Sequence, residues 1–256
     1  EFFISPRRDK IPVDENNKAF EEIMGELNSL IGLQSVKKLI EELCAYVEIQ
    51  KRRSKANLIT EPLVLHMVFK GNPGTGKTTV ARILGKLFKE LGVLSRGHLV
   101  EVERADLVGE YIGHTAQKTR EQIKKSLGGV LFIDEAYSLA RGGEKDFGKE
   151  AIDVLVKAME DQKNNFILIL AGYKEEMEWF MQTNPGLRSR FPLHIDFPDY
   201  TVAELLNIAK LMAEKRQYYF NHEAFIELEK ILRRQMLLGN CKNGNARFVR
   251  NLIEKS

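Results

Sequence analysis

Glycine, lysine and threonine recur in Gly71-Asn72-Pro73-Gly74-Thr75-Gly76-Lys77-Thr78-Thr79 at the spacing that polyphosphate chemistry requires. Glycines let a backbone close tightly around an anion with its N–H groups turned inward, and a helix starting at the end of the loop adds a positive terminus. Lys77 can reach β- and γ-phosphates, and the Thr78 hydroxyl can ligate Mg²⁺. Asn72, Pro73, Gly74, Thr75, Gly76 and Thr79 make up the rest of the candidate nucleotide-binding set. The flanks also fit. Residues 63–68 are a short apolar run suited to a parallel strand buried on both faces, and residues 80–88 carry apolar side chains at helical spacing. Strand, glycine loop, Gly-Lys-Thr and helix together make a P-loop, so a nucleoside triphosphate is the expected ligand.

A triphosphate site also needs groups that organise a metal and a water. The apolar run 130–133 ends in Asp134 and Glu135, at the carboxyl end of a buried strand, where open α/β sheets place their ligands. Asp134 is expected to hold Mg²⁺ together with Thr78. Glu135 can polarise the water that attacks the γ-phosphate. An apolar run ending in acids is a weak signal alone. Beside the P-loop it favours hydrolysis, with ATP and Mg²⁺ as cofactors, over phosphoryl transfer to a small molecule.

These groups need a scaffold. The chain of 256 residues, 43% hydrophobic and 29% charged, has the composition of an ordinary globular protein. Its net charge of +3 gives no electrostatic case for nucleic acid. No apolar run reaches membrane-spanning length, no signal peptide is evident, and Cys44 and Cys241 are too few for a disulfide framework, so a cytoplasmic setting is expected. The chain starts at Glu1 and stops within a helical pattern, as a fragment of a longer protein would.

Helices are expected over 16–30 and 35–53, with Ser35 as N-cap of the second, then strands over 98–102, 130–133, 166–172 and 193–197. The first strand is the run at 63–68. Residues 104–115 read as a loop or short helix, 116–126 as helix, 140–149 as a polar loop, and 150–161 and 174–181 as helices. After Pro198 only helices follow, at 202–219, 222–238 and 246–255. This order predicts an α/β fold, a parallel five-stranded sheet flanked by helices, followed by a small all-helical lid domain. The expected divisions are an N-terminal lead-in and helix over 1–30, the α/β domain over 31–199 and the lid over 200–256.

With these motifs in place, the chain resembles the AAA+ ATPases, a family of P-loop NTPases. The segment Asn184-Pro185-Gly186-Leu187-Arg188-Ser189-Arg190-Phe191 is similar to the family's arginine-finger segment. The resemblance implies that Arg190, with Arg188 as the second choice, acts in trans on a neighbouring subunit's nucleotide. Gly244-Asn245-Ala246-Arg247 resembles the sensor-2 motif, which implies that Arg247 reaches the nucleotide from the lid. The usual polar sensor 1 has no Asn here, and Tyr173 stands in its place as a residue that either positions water or packs.

The segment from Arg104 to Ala116, with Gly-Glu-Tyr-Ile-Gly-His-Thr at its centre, looks like pore loop 1 of a narrower branch. That branch holds the red-type Rubisco activases (the CbbX proteins) and the stage V sporulation K proteins, and this chain leans to the sporulation side. Residues 129–139, 140–153 and 169–173 carry the same likeness. The branch implies a homo-hexameric ring formed with ATP, with Tyr111, Ile112 and Gly113 facing a central pore. A protein client of unspecified identity would be gripped there by stacking and apolar contact. Two other classes compete: a DNA-acting machine such as a clamp loader, which the weak basic charge argues against, and a scaffold that uses ATP only to assemble, which has no need of Glu135 or Arg190.

Overall fold

A computed structural model describes residues 15–60, 63–111, 113–141, 147–162, 165–237 and 244–255. Five strands, β1 (Met67–Gly71), β2 (Leu99–Val102), β3 (Val130–Ile133), β4 (Ile167–Gly172) and β5 (Leu193–Phe197), form one sheet in the order β2-β3-β4-β1-β5. Every pairing is parallel, so all five strands deliver their following loops to one edge. The α/β expectation is met.

Successive residues in a strand point to opposite faces, and here both faces are covered. Met67 and Phe69 of β1, Val130 and Phe132 of β3, and Ile167 and Ile169 of β4 enter one core. Val68, Leu131, Ile133, Leu168 and Leu170 enter the other. The first core is closed by α1 (Glu15–Ser29), α2 (Gln34–Lys55) and α3 (Lys77–Glu90), through residues such as Leu27, Ile40 and Leu84. It runs on into the lid helices α9 (Val202–Glu214), α10 (His222–Leu237) and α11 (Asn245–Lys255), which supply Leu205, Leu232 and Val249. The second core is covered by α4 (Arg104–Leu107), α5 (His114–Ser126), a 3₁₀ turn (Ala136–Ala140), α6 (Gly148–Asp161), α7 (Lys174–Thr183) and α8 (Pro185–Arg188).

Several boundaries differ from those read from the sequence. β1 opens at Met67 and not at Leu63, because the N–H of Leu168 on β4 donates to His66 Nδ1 at 3.0 Å instead of to a backbone carbonyl. Ser35 is not an N-cap: α2 begins at Gln34, with Leu33 at the cap position in a left-handed conformation and its carbonyl accepting from Lys37 N at 2.9 Å. α5 begins at His114, not Ala116, and α6 at Gly148, not Glu150. α9 stops at Glu214, not Tyr219, because Gln217 turns left-handed (φ 63°) and Tyr218 N closes back onto Ala213 O at 2.9 Å, a Schellman-type ending.

His66 has a consequence for stability. Its ring is buried beside Phe166 and Phe191, and desolvation pushes its pKa from 6.5 down to about 4. Between these values the unfolded chain takes up a proton that the folded protein refuses. The stabilisation is therefore complete above about pH 6.5 and is lost as pH falls towards about 4. Denaturant titrations should show about 3 kcal/mol lost across that window. In His66→Asn, whose side-chain oxygen can accept the same N–H, the part of the slope due to this group should disappear.

Candidate nucleotide site

The loop after β1 turns directly into α3. Gly76 occupies the cap position with φ 97°, and the free N–H groups of the first turn of α3 open towards the carboxyl edge of the sheet. Lys77 lies over the loop, its ammonium donating to Gly71 O at 2.8 Å and Asn72 O at 2.9 Å. Burial lowers its pKa, and the Asp134 carboxylate is the largest opposing influence. Within the loop, Thr75 is fully buried and its hydroxyl donates to Asn72 O at 2.8 Å. Pro73, Gly74, Gly76, Lys77, Thr78 and Thr79 line the cavity, while Thr75 and Asn72 do not, the Asn72 side chain donating instead to Asp199.

That cavity, of about 820 Å³, lies between the sheet edge and the lid. Asp134 and Glu135 reach it from β3, Tyr173 from the end of β4, and Arg247 from the first turn of α11. The loop and the paired carboxylates, picked out by residue type, thus meet in one space with the tyrosine and the lid arginine that the family resemblance pointed to. Thr78 Oγ1 also sits 3.3 Å from Glu101 Oε1 of β2, which adds a third carboxylate near the hydroxyl. Among the described residues no cluster of His, Cys, Asp or Glu could hold a metal by itself. A hard cation would take one hydroxyl and one carboxylate here and complete its shell with phosphate oxygens and water, as Mg²⁺ does.

Glu135 is left-handed (φ 47°, ψ 42°), unusual for a residue with a Cβ. Its N–H donates to Asp134 Oδ1 at 3.0 Å, and its carbonyl accepts from Ser138 N at 2.8 Å. Arg104 of α4 donates to Ser138 O at 2.7 Å, tying the same turn to the loop that carries Tyr111. Tyr173 packs its ring against Tyr137 at 6.1 Å between centroids, so it both lines the cavity and packs.

The other end of the cavity was not legible beforehand. Leu30, Ile31 and Leu33, from the link between α1 and α2, face Ile208, Leu211 and Met212 of α9 across an apolar slot. Lys37 shapes this link by donating to Asn28 O at 3.1 Å and Leu30 O at 2.5 Å, the carbonyls that end α1. A Leu-Ile-Gly-Leu run carries no chemical signature, so only the approach of α9 makes it a wall.

Arg188 and Arg190 lie outside this cavity. Arg190 donates to Gly186 O at 2.6 Å and pairs with Glu160 of α6, and Arg188 is exposed. Tyr111 is 66% exposed and stacks edge-on with His114, and Gly113 caps α5 with φ 85°. Ile112 falls outside the described residues. Gly109 is packed, not loose: a Cβ there would stand 2.5 Å from His114 Cβ, and its N–H donates to Thr115 Oγ1 at 2.9 Å.

Residues 67–199 match the family of ATPases associated with various cellular activities, and residues 201–256 match the AAA lid domain. This chain belongs to the AAA ATPase family. Among its relatives is stage V sporulation protein K of Bacillus subtilis, 60% identical over 92% of this chain and 74% of that protein. Protein CfxQ of Xanthobacter flavus is 50% identical over 91% of this chain and 74% of its own length. The chloroplastic ribulose bisphosphate carboxylase/oxygenase activase of Cyanidioschyzon merolae is 46% identical over 92% and 80%. A solved structure of a RuvB point mutant from Thermotoga maritima has the same fold, with TM-score 0.55, 22% identity, and coverage of 89% of this chain and 71% of that one. In this AAA ATPase no helix among the described residues is long and apolar enough to cross a membrane.

A side chain at Gly74 tests the closeness of loop and lid. Its φ is +74°, and a Cβ would stand 2.3 Å from Gly244 O and 2.9 Å from Arg247 N. Gly74→Ala should lower folding stability by about 1–3 kcal/mol through backbone strain and displacement of α11. Nucleotide affinity should fall at least about tenfold, measurable with a fluorescent ATP analogue.

Proposed function

We propose that this protein is an ATP-hydrolysing motor that assembles as a ring and remodels a protein client at its axial pore. One observation carries the catalytic part: the anion-cradling loop, Asp134, Glu135 and Arg247 face one cavity whose far end is apolar. A triphosphate would lie with its phosphates over the first turn of α3 and its base between the 30–33 link and α9. Lys77 leaves the Gly71 and Asn72 carbonyls to meet the β- and γ-phosphates. Thr78 and Asp134 would hold Mg²⁺, which when bound offsets negative charge on the phosphate oxygens. Glu135 orients a water and takes up its proton as the oxygen attacks the γ-phosphate. Arg247 follows the phosphates from the lid, and Tyr173 positions the water's side of the cavity.

Completion of the site calls for a second copy. Arg190 would have to release Glu160 to act as a finger in a neighbour's cavity, whereas exposed Arg188 would need no such release. The ring is read as a hexamer, with Tyr111, Ile112 and Gly113 at its axis and ATP needed for assembly. The relative named as a sporulation protein favours a client in sporulating cells, and the relative named as a carboxylase activase supports a protein client as the alternative.

Glu135→Gln should still bind ATP while turnover falls about 10²–10⁴-fold, and hydrolysis at the wild-type rate would remove the assigned role. Mixing Glu135→Gln with an inactive Arg190→Ala or Arg188→Ala variant should restore part of the turnover, because mixed interfaces recover one intact site. No recovery with either arginine variant would exclude action in trans. Tyr111→Ala should hydrolyse ATP yet fail to unfold a tagged model substrate; equal unfolding would reject pore threading.

A further inference from the structure

Asn245 is only 1% exposed at the start of α11, held left-handed at φ 39°, and neither the P-loop nor the carboxylate motif assigns it a task. Its partners fix the orientation of its amide. Tyr200 N can only donate, and it lies 3.0 Å from Asn245 Oδ1. Pro73 O can only accept, and it lies 3.3 Å from Nδ2, which also donates to Asp199 Oδ1 at 2.9 Å. Asp199 in turn accepts from Asn72 Nδ2 on both oxygens at 2.9 Å. One step along, Ala246 N donates to Gly74 O at 3.2 Å. The carbonyls of Pro73 and Gly74, in the middle of the anion loop, are therefore both held by the first turn of the helix that carries Arg247.

We propose that Asn245, with Asp199, is a positioning latch that makes the lid move with the phosphate loop and so sets where Arg247 meets the nucleotide. The inference rests on the cavity being a nucleotide site, but it concerns a residue that does not line that cavity. Its chemistry is specific to an amide. A carboxylate at this position could accept from Tyr200 N, yet it could not donate to Pro73 O or to Asp199. A free lid would gain nothing from such a match. A lid that reports the loop's peptide orientation needs it, and by linkage the nucleotide must then stabilise the latch as much as the latch aids the nucleotide.

Asp199 is the charged group bonded to the amide, and the charges acting on Lys77 across the loop are Asp134, Arg247, Glu135 and Asp199 itself. In Asn245→Asp two carboxylates would face each other and share a proton only at low pH.

The test measures affinity for a fluorescent ATP analogue and kcat between pH 5 and 8, each relative to wild type at the same pH. Asn245→Ala should weaken affinity about tenfold, and this effect should shrink to about twofold in an Arg247→Ala background, because the two act through one contact. Asn245→Asp should lose about 30-fold at pH 8 and recover to within about threefold at pH 5, where the shared proton replaces the amide N–H. Asp199→Asn in the same chain should restore most of the loss at pH 8 by returning a donor to the pair. Additive losses for Asn245→Ala and Arg247→Ala, or a pH-independent Asn245→Asp defect that Asp199→Asn does not rescue, would overturn the latch. If Asn245→Ala does not fold, the pH response of Asn245→Asp and its rescue by Asp199→Asn decide the question in its place. Wild-type affinity in Lys77→Ala would instead show that the nucleotide reading had failed.

Discussion

Backbone touching backbone at Gly74 is the constraint on which the site depends. The loop that follows β1 must expose its N–H groups to an anion and at the same time lie against Gly244 and Arg247, so it has no room for a Cβ on its lid side. Close approach fixes the floor and the roof of the cavity together. The space between sheet and lid is thus defined by main-chain atoms, which shift less than side chains, and the charged groups are arranged around it.

The parallel sheet makes that arrangement possible. Every strand runs the same way, so the ends of β1, β3, β4 and β5 deliver the anion loop, Asp134, Tyr173 and Asp199 to one edge. Burying both faces of the sheet frees that edge from any packing role. The cations and carboxylates collected there are mutually compensating. Lys77 loses solvent on burial and is drawn back by Asp134, and a polyphosphate would meet a lysine already turned into the loop. The strained backbone at Glu135 fits the same scheme, since Asp134, Ser138 and Arg104 all hold its turn.

The chain is similar both to a sporulation protein and to a carboxylase activase. The nucleotide machinery sits in the sheet edge and lid. The exposed Tyr111 is mounted on a base that Gly109, Thr115 and Thr119 fasten to α5.

The sequence by itself determined the anion loop, the paired acids, the alternation of strands and helices, and the helical lid. Each of these rests on local patterning: glycine spacing, a run of apolar residues ending in carboxylates, a switch from mixed periodicity to helical periodicity alone. Strand and helix ends were less legible, because they were decided by distant partners. His66 delays the start of the β1 ladder only because Leu168 lies beside it, and Leu33, not Ser35, stands at the cap of α2. Only the tertiary structure decided that Asn245, Asp199 and Tyr200 meet the loop, that residues 30–33 wall an apolar slot, and that Arg190 pairs with Glu160. Those contacts join residues far apart in the chain, between side chains and backbone groups whose types recur everywhere, and only the packing of lid on sheet selects which of them meet.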